Sequence, residues 1–321
     1  MSDLIVLACA SGKQCSHIIP LLYEEETSLS ILRLVVNSKA SLDRLTQRYP
    51  KTEVVQADFQ NLQDCRKILD GATTIYYVSP TFTPHEAHMG MNVIDAAVAE
   101  SRKKIPPSKF QHFVFSSVLH PEISKMLNHD RKRLVEEYLV ESPLNYTILQ
   151  PSHFTDNSIG QLLAQRDADA PVYMAPYDPA VKFSFTTLRD HAEASVKVIR
   201  ERHRHYFATY QILSTRPMDY YEYVRSVGDV LGRTFEVRHM SYEQAVEALC
   251  KRLFSGAPSL ADVDLRNRDG PERMLLYYNT RGLLGNPGVL EWLIGRKATS
   301  PADLARLLLS SAPAEKDKQS I

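Results

Sequence analysis

The chain has 321 residues, with 38 Lys and Arg against 38 Asp and Glu. That length suits one large domain or a domain with a lobe, and the zero net charge offers nothing to draw nucleic acid or an anionic membrane. No apolar run approaches the roughly 18 residues of a membrane helix, and the opening residues lack the charged-then-apolar order of a signal peptide. Cys9, Cys15, Cys65 and Cys250 have neither zinc nor disulfide spacing, which predicts a reducing, cytoplasmic setting without metal.

Residues 4–7, all large aliphatics, predict a strand that passes through small residues into a segment of helical spacing. This strand, turn and helix order points backbone N–H groups at a pyrophosphate. Of the glycines that usually build such a turn only Gly12 is present, with Cys9 and Cys15 at the flanking positions. A strand over 31–36 precedes a helix carrying Leu42 and Leu45 that Ser41 can cap. A strand over 54–57 ends on Asp58 and Phe59, and Asn61 can cap the next helix, with Leu62, Cys65, Ile68 and Leu69 on one face. The strand over 74–78 closes on Ser79 and Pro80, and a long helix then carries Met91, Ile94, Asp95 and Val98. A strand over 113–118, a helix through Leu134, Val135, Tyr138 and Leu139, and a strand over 146–151 complete the series. Apolar strands alternating with amphipathic helices predict a Rossmann-type α/β fold, a doubly wound parallel sheet covered on both faces.

Residues 152–182 carry Pro171, Pro176 and Pro179 with little periodicity and predict a loop-rich segment. Residues 183–186, a helix over about 189–202 and residues 207–213 predict one more return to the sheet. Helical patterns follow at 220–231, 242–254 and 301–309. The expected organisation is a nucleotide-binding region over 1–151, joined by 183–214, and a smaller, mostly helical substrate lobe from 152–182 and 215–312. Residues 313–321 are expected to form a disordered tail.

Five stretches stand in order: Cys9-Ala10-Ser11-Gly12-Lys13-Gln14-Cys15, Gln56-Ala57-Asp58-Phe59, Phe113-Val114-Phe115-Ser116-Ser117-Val118, Lys132 through Leu139, and Tyr146 through Phe154 with Asn157. Together they resemble the NmrA-like family of atypical short-chain dehydrogenases, relatives of the isoflavone-reductase-like enzymes. The matching family motifs are a G-A-T-G-x-Q-G loop, a short motif near the adenine, the fifth strand, a K-x-x-[VI]-E-x-Y-L helix and a T-I-L-R-P-x-x-F-x-x-N segment. The resemblance implies NADP(H), held by Cys9, Ser11, Gly12, Lys13, Gln14, Asp58, Phe59, Ser79, Pro80, Lys132, Pro151 and Phe154. There are three departures. Cys9 and Cys15 replace loop glycines, and a cysteine at positive φ is strained. Asn37-Ser38-Lys39 stands where the family often has an arginine for the 2′-phosphate; with no acid there for a ribose 2′-hydroxyl, Asn37 and Lys39 are the candidate contacts. Asn128 stands four residues before Lys132, where ordinary short-chain dehydrogenases carry the acidic tyrosine.

Lys132 is the leading catalytic candidate: by the resemblance it reaches the nicotinamide ribose and, from a helix starting near Ser124, helps polarise a carbonyl. The plainer reading is a solvated lysine in Arg131-Lys132-Arg133. His129, one position from the missing tyrosine, titrates near neutrality and could supply the proton, against the simpler reading of a surface histidine. Ser116 and Ser117 end a strand at the ligand edge and could bind a substrate oxygen, or be ordinary strand-exit serines. His153 and Asn157 are the substrate-side candidates, weighed against simple loop residues. Cys15 at a helix N-terminus could be a reactive thiol paired with Cys9, although small buried packing is the simpler reading. His85 and His88 lack a third ligand, so no metal is expected. The chain's 16 tyrosines suit a bulky apolar ligand in the lobe.

The leading expectation is an NADP(H)-dependent oxidoreductase acting on C=O, C=N or C=C bonds of a bulky organic small molecule, including redox-assisted cyclisation in biosynthesis. The rival is a non-catalytic NADP(H) redox sensor acting on a protein partner. A third possibility is that the altered loop binds no dinucleotide. A long aromatic-lined pocket favours the enzyme, and a filled one the sensor; homo-oligomerisation is left open.

Overall fold

A computed structural model describes residues 3–24, 30–254 and 265–311. The expected tail at 313–321 lies outside the described residues. The first half alternates β1 (Asp3–Leu7), α1 (Lys13–Glu24), β2 (Ser30–Val36), α2 (Lys39–Arg48), β3 (Glu53–Gln56), α3 (Leu62–Leu69), β4 (Thr74–Val78), α4 (Glu86–Ser101), β5 (His112–Ser116), α5 (Leu127–Glu141) and β6 (Tyr146–Pro151). Then come β7 (His153–Phe154), α6 (Asp156–Ala164), β8 (Val172–Ala175), β9 (Phe185–Thr186), α7 (Leu188–Glu201) and β10 (Ala208–Ile212). The described chain ends with α8 (Tyr220–Leu231), β11 (Glu236–His239), α9 (Tyr242–Leu253), α10 (Leu265–Tyr278), α11 (Gly288–Ile294) and α12 (Pro301–Ser311).

The main sheet has seven parallel strands in the order β10-β6-β5-β4-β1-β2-β3. It is the expected Rossmann-type architecture, and β1 sits between β2 and β4, where the strand order reverses. Both faces are covered. Ile18 and Ile19 of α1 and Val198 and Ile199 of α7 pack with Leu7, Leu34 and Tyr76 on one side. On the other, Ile68, Val93, Ile94 and Val135 pack with Ile75 and Phe113. Gly90 allows α4 and α5 to meet, since a β-carbon there would lie 2.6 Å from a methyl of Val135. A third, aromatic core fills the lobe, with Tyr173, Phe183, Phe185, Tyr220, Tyr223 and Tyr278.

Several local expectations are corrected. Ser38 caps α2, accepting from the Ser41 N–H at 3.3 Å, so the helix starts three residues earlier than a Ser41 cap would allow. Asn61 caps α3 as expected. The helix carrying Lys132 begins at Leu127 rather than near Ser124, because the preceding residues form turns. The segment 152–182 is not only loop: it holds α6 and β8, and β8 pairs in parallel with the distant β11. Of the expected return to the main sheet only β10 joins it, beside β6; β9 pairs instead with β7 in a separate two-stranded sheet. Short strands whose partners lie far along the chain leave almost no periodic signal.

Candidate functional site

The chain leaving β1 stays tied to both neighbouring strands, the Ala8 N–H donating to Tyr76 at 2.9 Å and the Ala10 N–H to Val35 at 2.8 Å. A tight turn follows, closed by the Gly12 N–H on the Cys9 carbonyl at 2.9 Å, and α1 begins directly after it. Cys9 takes φ 54°, the left-handed conformation that glycine adopts without strain. A β-carbon at Gly12 would lie 3.1 Å from the Cys9 oxygen, so the one remaining glycine stands where space is shortest. Above this turn and the ends of β2, β3 and β4 opens a cleft of about 840 Å³. Cys9, Ser11, Gly12, Asn37, Asp58, Phe59 and Pro80 all line it, together with Val35, Val36, Gln56 and Met89.

Other candidates point elsewhere. The Gln14 amide oxygen accepts from the Tyr76 hydroxyl at 2.9 Å and the Ser116 hydroxyl at 2.7 Å, bracing α1 on β4 and β5. Lys39 pairs with Asp43 at 2.8 Å on the surface, its side chain 73% exposed. Ser79 and Ser117 are buried at strand exits, and Pro151 accepts from the Leu119 N–H at 2.7 Å. The Ser116 hydroxyl also lies 3.3 Å from His191 Nε2, whose ring meets Phe154 edge-on at 5.6 Å. His191 had no motif to mark it; it enters from α7, and burial lowers its pKa to about 3.

Lys132 is not solvated. It is 6% exposed and its ammonium is bound by Glu86, which is fully buried, and donates to Thr81 Oγ1 at 3.2 Å. Arg131 adds a bond to the Thr83 carbonyl at 2.9 Å. These two cations of α5 therefore clamp the loop between β4 and α4, which gives Pro80 and Thr83 to the cleft. Burial raises the Glu86 pKa while the Lys132 charge opposes the rise.

His129 is a correction. It is fully buried rather than on the surface, with Nδ1 2.9 Å from the His120 carbonyl and Nε2 3.3 Å from the Tyr278 hydroxyl. Burial lowers its pKa to about 4, so it is neutral at pH 7 and does not titrate there. Cys15 takes the simpler of its two readings, a small buried packing residue. Its buried thiol donates to the Ala8 carbonyl at 3.5 Å, and burial raises its pKa, overriding the helix N-terminus. Burial likewise pushes Cys9 up to about 12, with Lys132 partly opposing, so a neutral thiol faces the cleft. Among the described residues no three His, Cys, Asp or Glu are placed to hold a metal.

A second cavity, about 320 Å³, opens in the lobe. His153, Phe154 and Asn157 line it with Tyr173, Tyr177, Tyr220, Met240 and Arg252. His153 Nε2 lies 3.2 Å from the Tyr177 hydroxyl, its ring packs against Phe183 and Tyr278, and burial lowers its pKa to about 3. One bond ties the cavity to the turn below the cleft: Lys13 at the start of α1, next to Gly12, donates to Asn157 Oδ1 at 2.6 Å. The sequence marks an aromatic lobe but neither Arg252 nor Glu86, whose partner Lys132 lies 46 residues away.

The cleft fits the adenosine and pyrophosphate of a dinucleotide. It is long, apolar on its walls, polar at Asn37, Gln56 and Asp58, and bounded by the Gly12 turn and a helix N-terminus. Among the described residues no lysine or arginine lines it, and Lys39, the expected 2′-phosphate contact, would have to leave Asp43 to reach one. An exposed pair of that kind is worth at most ~0.5 kcal/mol, and the exchange costs little.

No curated protein matches the chain. Solved structures of similar fold include the NADPH-dependent quinone oxidoreductase QOR2 of Escherichia coli, 21% identical, covering 95% of this chain and 99% of that one with a TM-score of 0.72. The triphenylmethane reductase of Citrobacter sp., solved with NADP(H), is 16% identical, with 95% and 99% covered and a TM-score of 0.71. NmrA, a negative transcriptional regulator, is 16% identical, with 97% and 92% covered and a TM-score of 0.68. Residues 1–299 match the profile of the NmrA-like family, and the chain belongs to that family.

Proposed function

We propose that the protein is an NADP(H)-dependent reductase of bulky aromatic small molecules. The observation that carries this reading is the aromatic-lined cavity at Tyr173, Tyr177 and Tyr220, joined to the Gly12 turn through Lys13 and Asn157. A redox sensor without a substrate has no need of such a space. The similar quinone oxidoreductase and triphenylmethane reductase, which are NADPH-dependent and solved with NADP(H) respectively, support the cofactor and the reaction class.

The nicotinamide, when bound, supplies the hydride. In this reading the turn at Cys9, Ser11 and Gly12 holds the pyrophosphate by backbone N–H groups, while Asn37, Asp58 and Phe59 hold the adenosine end. Lys132 is a positioning residue: held by Glu86 and Thr81, it keeps the loop with Pro80 against the cleft. Ser116, with Gln14 and His191 behind it, keeps α1 and α7 in register with β5. His153 at the cavity is neutral and burial pushes the hydroxyls of Tyr173, Tyr177 and Tyr220 above their usual pKa, so among the described residues no strong acid lines it. The site therefore suits acceptors that take hydride with protonation from water, such as quinones and conjugated or iminium carbons.

The test is calorimetry with NADPH followed by NADPH oxidation against quinones, conjugated enones and triphenylmethane dyes. Tight NADPH binding with turnover of at least one class is expected. Tight binding without turnover of any acceptor would turn the reading to a sensor. No binding of any nicotinamide nucleotide sinks both.

A further inference from the structure

The lobe cavity carries an asymmetry of charge that its aromatic walls do not require. Arg252, from the last turn of α9, is among the described residues the one fully charged side chain on its lining, and no described carboxylate lines it. The neutral polar groups there are Asn157, Ser158, Gln161 and the unprotonated His153. Beside the cavity the exposed Lys13 ammonium rests on the lining residue Asn157 at 2.6 Å. Lys13 and Arg252 are near enough to repel: after burial, the charge of Arg252 is the next cause lowering the Lys13 pKa. Asp156 opposes that shift, but one of its oxygens is already committed to the Leu188 N–H at 2.9 Å. Both side chains reach solvent, and an anion whose body entered the tyrosine-walled space would meet the Arg252 guanidinium on its lining and the Lys13 ammonium beside Asn157.

We infer that the cavity takes an organic anion, a flat aromatic body carrying one carboxylate, sulfonate or phosphate group that Arg252 and Lys13 hold at the mouth. The body would stack among Tyr173, Tyr177 and Tyr220, where rings bury large area at defined geometry. The guanidinium would receive the anionic group through two parallel N–H donors, the geometry in which arginine surpasses lysine. Lys13 would exchange Asn157 for the same group, so that ligand binding is felt at the first residue of α1. This rests on the reading of the cavity as the substrate site. The competing reading makes Arg252 a surface cation that merely complements the C-terminus of α9.

The experiment compares naphthalene-2-sulfonate with naphthalene-2-sulfonamide, equal in shape and different in charge, by calorimetry on the full chain with and without NADPH. The sulfonate is expected to bind about tenfold tighter, as one charge-assisted pair warrants. Arg252→Gln should abolish most of that preference, and Lys13→Gln part of it, while NADPH affinity of Arg252→Gln stays at the wild-type value and reports an intact fold. Equal affinity for the two probes in the wild-type protein overturns the inference. So does a preference that survives in the double variant. Because probe binding is read without hydride transfer, a reductase that fails to turn over and a cavity that ignores charge give different results.

Discussion

The cleft above the strand ends and the cavity in the lobe surround a ligand with different materials. The cleft is framed by backbone: a turn closed by Gly12 on Cys9, the start of α1, and strand ends whose side chains are mostly apolar, with no lysine or arginine on its lining among the described residues. The cavity is framed by side chains, with tyrosines, a histidine and an arginine brought from β7, β8 and the residues just after it, α8 and α9. A backbone site tolerates substitutions that keep the turn, which is how cysteine stands at a glycine position. A side-chain site changes its ligand with each substitution.

The strongest way to break this contrast is at the clamp that holds the cleft's loop. Glu86→Ala leaves Lys132 buried and uncompensated, and removal of one member of such a pair costs about 3–5 kcal/mol. Denaturant unfolding should show that loss, and the double variant Glu86→Leu with Lys132→Met should recover most of it. A loss below 1 kcal/mol would mean the pair is solvated and Lys132 is free to face the cofactor.

Cys9→Gly comes next. Relief of the left-handed conformation should stabilise the fold by ~1 kcal/mol, with NADPH affinity within a few-fold of wild type. A large drop in affinity would show that the thiol itself, not the backbone, makes the site. The wild-type protein tests thiol chemistry. With Cys9 pushed up to about 12 and Cys15 raised by burial, neither should react with a thiol reagent at pH 7 while folded. Fast labelling of either would restore the redox-switch reading.

The smallest effect is expected at the ribose end. Lys39→Gln should narrow the preference for NADPH over NADH by a few-fold, and Asp43→Ala, which frees Lys39, should widen it slightly. No change in either variant would place the 2′-phosphate contact elsewhere.

Much of the cleft was legible because it is made of consecutive residues. Apolar runs at 4–7, 31–36 and 74–78 followed by amphipathic helices leave only a parallel sheet covered on both faces. The turn after the first strand must then lie at the ligand edge. Seven candidates from local motifs do line that cleft. Lys132 was singled out by its motif, yet its state was not legible, since its partner Glu86 lies 46 residues away and has no pattern of its own.

Sequence periodicity alone thus determined the strand and helix series, the sheet that follows from it and the edge where a ligand binds, because each depends on neighbours within a few residues. Only tertiary structure decided the protonation and contacts of the side chains. Burial made His129 and His153 neutral and Cys15 inert, and long-range pairing put β8 beside β11 and Lys13 against Asn157. A pKa is set by the solvent and charges around a group, and those come from residues that chain order does not place together.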